Sequence, residues 1–119
     1  MLGLRRFHDI QIDLWQGVPD TFVTDRLVRL DGRLALQAFE EFWSKAAPSH
    51  HRHLSFACAV DVATAPELAP QVFQVLRDTL SSSAVTYRQG GLERITLILP
   101  SLDVYGVFQR SFFAAFPEV

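Results

Sequence analysis

The stretch ERITLILP, residues 93–100, decides the fold, and a second stretch of the same kind, LSFACAV, occupies residues 54–60. Both are short and almost continuously apolar. A strand with this composition is buried on both faces, which is typical of the central strands of a parallel sheet that helices cover. The two stretches therefore predict an α/β protein.

Amphipathic helices are expected around these strands. Apolar residues recur at steps of three and four over residues 33–46, where Asp31 can cap the helix, and a second helix is expected over residues 64–80. A third helix starts at Ser101 or Asp103. This alternation of strands and helices predicts a three-layer α/β/α sandwich with a mostly parallel or mixed central sheet.

Two connecting segments have weaker patterns. The run Ser81-Ser82-Ser83 is typical of a loop, and the following AVTYR, residues 84–88, is interpreted as a weak strand or an ordered connection. The segment FVTDRLVRL, residues 22–30, is rich in β-branched residues and predicts one or two short strands.

The first clear strand lies in HDIQIDLWQG, residues 8–17, where Ile10, Ile12 and Leu14 alternate with polar residues. Strict alternation indicates a strand with one buried face. The strand ends at Gly17, and Gln-Gly followed by Val-Pro is typical of a turn. This glycine either opens a ligand-binding loop or only turns the chain.

Composition limits the classes of function. A chain of 119 residues predicts one domain, residues 1–119, and a net charge of −2 provides no basic surface for nucleic acid. A single cysteine, Cys58, excludes an internal disulfide framework. No segment has the composition of a signal peptide or a transmembrane helix, so we expect a cytoplasmic protein that does not bind membranes.

Three segments resemble the macro domain, an α/β/α family that binds ADP-ribose and related nucleotides. HDIQIDLWQG is similar to the family's first strand, which typically ends in Gln-Gly-Asp-Ile-Thr. LSFACAV with the Pro-Glu helix after it resembles a late strand and helix of the family. LERITLILPSLDVYGVFQRSFF, residues 92–113, resembles the closing strand and terminal helix.

The departures from that family concern its ligand-binding loops. Val18 stands where the family has the Asp that holds the adenine amino group, and Asp20 comes two residues later. The chain has no asparagine, so the family's Asn-Ala-Ala-Asn loop is missing. The stretch that corresponds to the glycine-rich phosphate loop is VDVATA, residues 60–65, which has no glycine and includes Asp61.

Six residues are candidates for a ligand site because they follow strands or start helices. Open α/β sheets bind their ligands at the carboxyl ends of the strands, and helix N-termini accept anions. Helix capping is the competing explanation for four positions, because Thr64 and Glu67 match a capping box and Ser101 and Asp103 begin a helix. The six candidates are Gly17, Asp20, Asp61, Thr64, Ser101 and Asp103.

The resulting hypothesis is a non-catalytic macro-like binding or assembly module that lacks the usual ADP-ribose loops. The alternative is a small hydrolase acting on a nucleotide or an ADP-ribose derivative, with Asp20, Asp61 or Asp103 as general acid or base. We expect no cofactor, and no metal site at the histidines of SHHRH, residues 49–53. The last helix has apolar residues on nearly all of its sides, and one sheet face cannot cover them all. Its outer side, Phe113 in particular, therefore predicts a homodimer contact.

Overall fold

Strands and helices alternate along the chain in a computed structural model, which describes residues 4–17, 24, 26–45 and 51–117. The strands are β1 (Leu4–Phe7), β2 (Ile10–Gln16), β3 (Arg26–Asp31), β4 (His53–Ala59) and β5 (Arg94–Leu99). The helices are α1 (Ala35–Lys45), α2 (Ala65–Gln89) and α3 (Leu102–Ala115), and a 3-10 turn, Gly32–Leu34, joins β3 to α1.

The strands form one mixed sheet in the order β1-β2-β5-β4-β3. β2, β5, β4 and β3 are parallel, and β1 adds an antiparallel edge through a tight hairpin. The two hairpin residues, His8 and Asp9, have φ values of 51° and 66°, as a two-residue turn between twisted strands requires. The predicted α/β class with a mostly parallel, mixed sheet is confirmed.

One face of the sheet carries the apolar core. Ile12, Ile95 and Leu54 lie side by side on β2, β5 and β4, and each is fully buried. Phe56 of β4 packs edge-on against Phe39 of α1, with ring centroids 4.9 Å apart. The apolar core face is therefore formed by the alternating apolar residues of β2 and by the apolar residues of β4 and β5.

The helices share that face. Trp43 of α1 contacts Tyr87 of α2, with centroids 5.4 Å apart, and Phe73 of α2 contacts Phe108 of α3 at 5.9 Å. The described helices therefore supply one helical layer of the expected sandwich. The packing agrees with the amphipathic helices that the sequence predicts. The buried apolar residues are Val72, Phe73, Leu76 and Leu80 of α2 and Val104, Phe108, Phe112 and Phe116 at α3, whereas Ala115 is half-buried.

The opposite face carries a row of polar side chains. Asp13, Thr96 and Ser55 lie side by side on β2, β5 and β4, and all three are buried. Thr24, which precedes β3, lies over this row, because the Ser55 hydroxyl donates to the Thr24 hydroxyl at 2.8 Å. This buried polar face was not predicted from the sequence.

The second helix is longer than predicted. α2 runs for 25 residues and includes both Ser81-Ser82-Ser83 and the AVTYR segment, so the predicted loop and weak strand are wrong. Tyr87, seven residues after Leu80, returns to the buried face and keeps the helix on the core. Pro70 lies inside the helix at an exposed position.

Two smaller expectations also change. Asp31 does not cap the next helix through its side chain; its carboxylate lies 3.5 Å from the Arg29 guanidinium instead. The predicted strand over residues 22–30 begins only at Arg26, and residues 22, 23 and 25 lie outside the described part. β1 was not predicted. Within the described residues, no helix has the length and apolar character that crossing a membrane requires.

Candidate functional site at the carboxyl edge of the sheet

The parallel strands end along one edge of the sheet, which we call the carboxyl edge. β2, β5, β4 and β3 end there, and α2 and α3 begin there. Gly17, the residue after β2, donates its backbone N–H to the carbonyl of Leu99 at 3.0 Å, and its φ of +76° is unfavourable for other residues. Gly17 therefore turns the chain while it is held against the end of β5.

Asp61 lies after β4 and is engaged by its own turn. Its Oδ1 accepts the backbone N–H of Thr64 at 2.8 Å. Two hydrogen bonds from Thr64 lower the pKa of the Asp61 carboxyl below its ordinary value. The bond from the Thr64 hydroxyl has the larger effect and the bond from the backbone N–H the smaller. The Thr64 side chain makes no capping hydrogen bond to α2, so the predicted Thr64–Glu67 capping box is wrong, and the Asp61 carboxylate binds the backbone N–H of the N-cap residue Thr64.

Ser101 and Asp103 lie at the start of α3. The Ser101 hydroxyl accepts the backbone N–H of Val104 at 3.3 Å, which confirms the predicted helix cap. Asp103 is in the first turn and its side chain is exposed, where a carboxylate stabilises the helix dipole. Asp20, the remaining candidate carboxylate, lies outside the described residues.

A shallow depression of about 230 Å³ lies at the ends of β4 and β5, and neither Asp61 nor Ser101 lines it. Gly17 contributes to it, and its wall is mostly hydrocarbon from Ala57, Ala59, Ile98 and Pro100. Arg29 is the charged residue at its rim, and its guanidinium is close to Asp31. Thr64 instead lines a different depression of about 300 Å³ between the starts of α1 and α2. The five candidates that the structure describes are therefore not brought together in one cavity.

Exposed apolar side chains extend the hydrocarbon surface of this edge. Leu34, Val62 and Leu102 follow β3, β4 and β5, and their exposed fractions are 67%, 51% and 73%. Because the three strands are neighbours in the sheet, the three side chains belong to the same edge. The sequence did contain this signal, as an apolar residue placed three positions after the end of each of these strands.

The polar row on the sheet face is a second group that the sequence did not reveal. Asp13 is almost fully buried, and its Oδ2 accepts hydrogen bonds from Arg94 Nε at 3.0 Å and Arg94 Nη2 at 2.5 Å. Trp15 Nε1 donates to the same oxygen at 3.2 Å, and Gln11 Nε2 at 3.4 Å. The Thr96 hydroxyl donates to Oδ1 at 2.5 Å. Charge-assisted hydrogen bonds of this kind are shorter and stronger than those between neutral groups.

Hydrogen bonds continue from Thr96 across the sheet to β4. Thr96 Oγ1 lies 2.7 Å from His53 Nε2, and because the Thr96 hydroxyl donates to Asp13, the histidine nitrogen must be the donor. Ser55 Oγ lies 3.4 Å from the same nitrogen and itself donates to Thr24. The geometry therefore places a proton on Nε2 of the His53 ring. Ser55 is fully buried, so its hydroxyl is closed to a substrate.

Metal-binding and nucleophilic candidates are weak in the described part of the chain. No group of three histidine, cysteine, aspartate or glutamate side chains is placed there to hold a metal ion, and His50 lies outside it. Burial raises the pKa of the Cys58 thiol to about 12, which keeps it protonated and unreactive at neutral pH.

Phe113, the predicted dimer contact, is half-buried on α3. The Arg5 guanidinium lies over its ring at 4.1 Å from the centroid. A contact between two copies at this ring stays a prediction.

Comparisons with protein-family models, curated proteins and solved structures gave no match. The resemblance to macro domains therefore stays a prediction that depends on the three sequence segments alone.

Proposed function

We propose that this chain is a non-catalytic binding or assembly module that uses the carboxyl edge of its sheet, as the macro-like resemblance without ADP-ribose loops suggests. One observation carries the proposal. The polar groups expected to hold a ligand, Asp61 and Ser101, accept backbone N–H groups of their own turns, and the depression at the ends of β4 and β5 is lined with hydrocarbon. Such a surface favours an apolar partner over a phosphate.

The electrostatics of the edge support the same choice. A diphosphate is bound by free backbone N–H groups and positive charge. Here the N–H groups of Thr64 and Val104 are already bonded, and Asp61 and Asp103 place negative charge beside them. Burial of the exposed leucine and valine side chains offers the main favourable term at this edge, at about 25 cal/mol per Å² of apolar area.

Titration calorimetry and thermal unfolding with ADP-ribose test this proposal first. We expect no heat of binding and no shift in the melting temperature. A single site at 100 times its dissociation constant would raise the free energy of unfolding by about 2.7 kcal/mol, which both methods detect. Micromolar affinity for ADP-ribose would reject the proposal and favour the alternative, a hydrolase with a rearranged nucleotide site.

Binding of the fluorescent dye anilinonaphthalene sulfonate tests the edge directly, because the dye binds exposed apolar surface. We expect weak saturable binding that Val62→Ser and Leu102→Ser both reduce. Leu4→Ser is the matched control, because Leu4 is also exposed but lies on the edge strand β1. Equal loss in all three variants would show that the carboxyl edge is not a distinct apolar surface.

A further inference from the structure

A groove of about 590 Å³ runs between α1 and α2, away from the carboxyl edge. Its lining combines polar side chains with the hydrocarbon of Trp43 and Val75. α1 contributes the carboxylates of Glu40 and Glu41, and α2 contributes the hydroxyls of Thr79, Ser82 and Ser83. The groove is larger than either depression at the carboxyl edge.

Trp43 lines this groove and has an unsatisfied donor. The residue is only 6% exposed, and its indole Nε1 has no hydrogen-bond acceptor among the described residues. The ring packs against Phe39, Phe42, Phe56 and Tyr87, with centroids 5.4 to 6.0 Å away. Trp43 is also one of the residues that line the groove, so an acceptor that enters the groove approaches the indole from that side. A buried donor without a partner is rare in proteins and destabilising.

The charge of the groove is negative. Glu40 is exposed on α1, and Glu41 accepts a hydrogen bond from Gln37 Nε2 at 3.2 Å. Among the described lining residues none is a lysine, arginine or histidine. A ligand that fits must therefore bring positive charge for the carboxylates and an oxygen acceptor for the indole.

We infer that the groove binds a small organic cation, an ammonium or guanidinium compound that also carries a carbonyl or hydroxyl oxygen. The cationic group pairs with Glu40 and Glu41, and the oxygen accepts the N–H of Trp43. The hydroxyls of Thr79 and Ser82 supply further hydrogen bonds. Since the N–H is covered in the free protein, binding includes a small displacement of side chains at the groove floor. The site is separate from the edge in the proposed function, and either can fail alone.

The experiment uses the indole N–H signals of the intact protein in nitrogen-15 correlation spectra. The two tryptophans differ, because Trp15 donates to Asp13 and Trp43 has no acceptor. The probe is L-argininamide, which has a guanidinium, an ammonium and a carbonyl oxygen. We expect saturable binding that moves the Trp43 signal downfield and leaves the Trp15 signal in place. Agmatine, which lacks the carbonyl, should bind more weakly and leave the Trp43 N–H unbonded.

Variants separate this site from non-specific attraction of a cation. Glu40→Gln and Glu41→Gln should each weaken argininamide binding about threefold, the effect of one exposed charge pair. Glu67→Gln, an exposed carboxylate at the start of α2, is the matched control and should not change it. Trp43→Phe should remove the preference for argininamide over agmatine. If that variant does not fold, the exposed carboxylate variants decide the question. No binding at millimolar argininamide, or equal loss with Glu67→Gln, would overturn the inference.

Discussion

Replacement of Asp13 by asparagine tests whether the polar row is a strong structural element of the sheet. The change keeps the size of the side chain and removes its charge. Asp13 accepts two hydrogen bonds from Arg94 and one from Thr96, and only 4% of the residue is exposed. Loss of one member of a buried ion pair costs about 3–5 kcal/mol. Because the Arg94 side chain is one-third exposed and can turn to water, we expect about 3 kcal/mol.

Urea unfolding measures this loss, with Asp9→Asn as the matched control. Asp9 pairs with Arg88 at 3.3 Å, and its side chain is 78% exposed, so its replacement should cost less than about 1 kcal/mol. With a slope of about 1–3 kcal/mol per molar urea, the Asp13→Asn midpoint should fall by about 1–3 M at constant slope. If both variants lose the same stability, the polar row contributes no more than a surface pair and the reasoning is wrong.

The same variant has a second expected effect, on the His53 ring. In Asp13→Asn the amide oxygen should take the position of Oδ2, where Arg94 and Trp15 donate, so the amide nitrogen takes the position of Oδ1. The amide N–H then donates to Thr96, and the Thr96 hydroxyl donates to His53 Nε2. The proton of the ring is therefore expected to move to Nδ1. Nitrogen-15 shifts of the histidine ring distinguish the two tautomers. An unchanged tautomer would contradict the direction assigned to the Asp13–Thr96–His53 hydrogen bonds.

Three further changes have defined outcomes. Thr64→Val should raise the pKa of the Asp61 carboxyl toward 3.8, because the hydroxyl that lowers this pKa is lost; carbon-13 titration measures the change. In the native protein the lowered pKa stabilises the fold fully above pH 3.8. This stabilisation is lost as the pH falls through the lower pKa of the folded state. Cys58 should react with a disulfide reagent only when the protein unfolds, because the thiol is buried. The free energy of unfolding should fall between about pH 9 and 12, because over this range the thiol ionises in the unfolded state but not in the folded state. Arg77→Lys should lower the free energy of unfolding in urea by about 1–2 kcal/mol, because Arg77 donates to the Ala115 carbonyl and stacks on the rings of Phe7 and Phe116. Arg110→Lys is the control and should have no effect, because Arg110 is exposed on α3.

Hydrophobic patterning was sufficient for the strands and for the apolar faces of the helices. Ile12 and Leu14 lie on the core face as their alternation predicts, and the continuous apolar runs became β4 and β5. The pattern failed where serines interrupt it. Ser81-Ser82-Ser83 suggested a loop, because serine competes with helix formation, but burial of Tyr87 keeps α2 helical beyond them.

The polar row could not have been predicted from local pattern. Asp13 alternates with apolar neighbours, which usually indicates a solvated face. Its partner Thr96 is 83 residues away, and His53 is 43 residues from Thr96. These three side chains meet only because β5 lies between β2 and β4 in the sheet. The groove at Trp43 has the same origin, because its walls come from two helices that are distant in sequence.

Position at a strand end was a sound reason to select the candidates, but it does not separate capping from ligand binding. Both uses employ the same residue types, and what decides is the partner of the polar atom. Asp61 and Ser101 bind the backbone, whereas Leu34, Val62 and Leu102 remain exposed. A partner that binds this apolar surface gains affinity from the burial of apolar area, and salt changes that affinity little. The affinity for a phosphate ligand depends on charge and falls as the ionic strength rises. The salt dependence of any partner found for this edge therefore distinguishes the proposed assembly module from a nucleotide-binding enzyme.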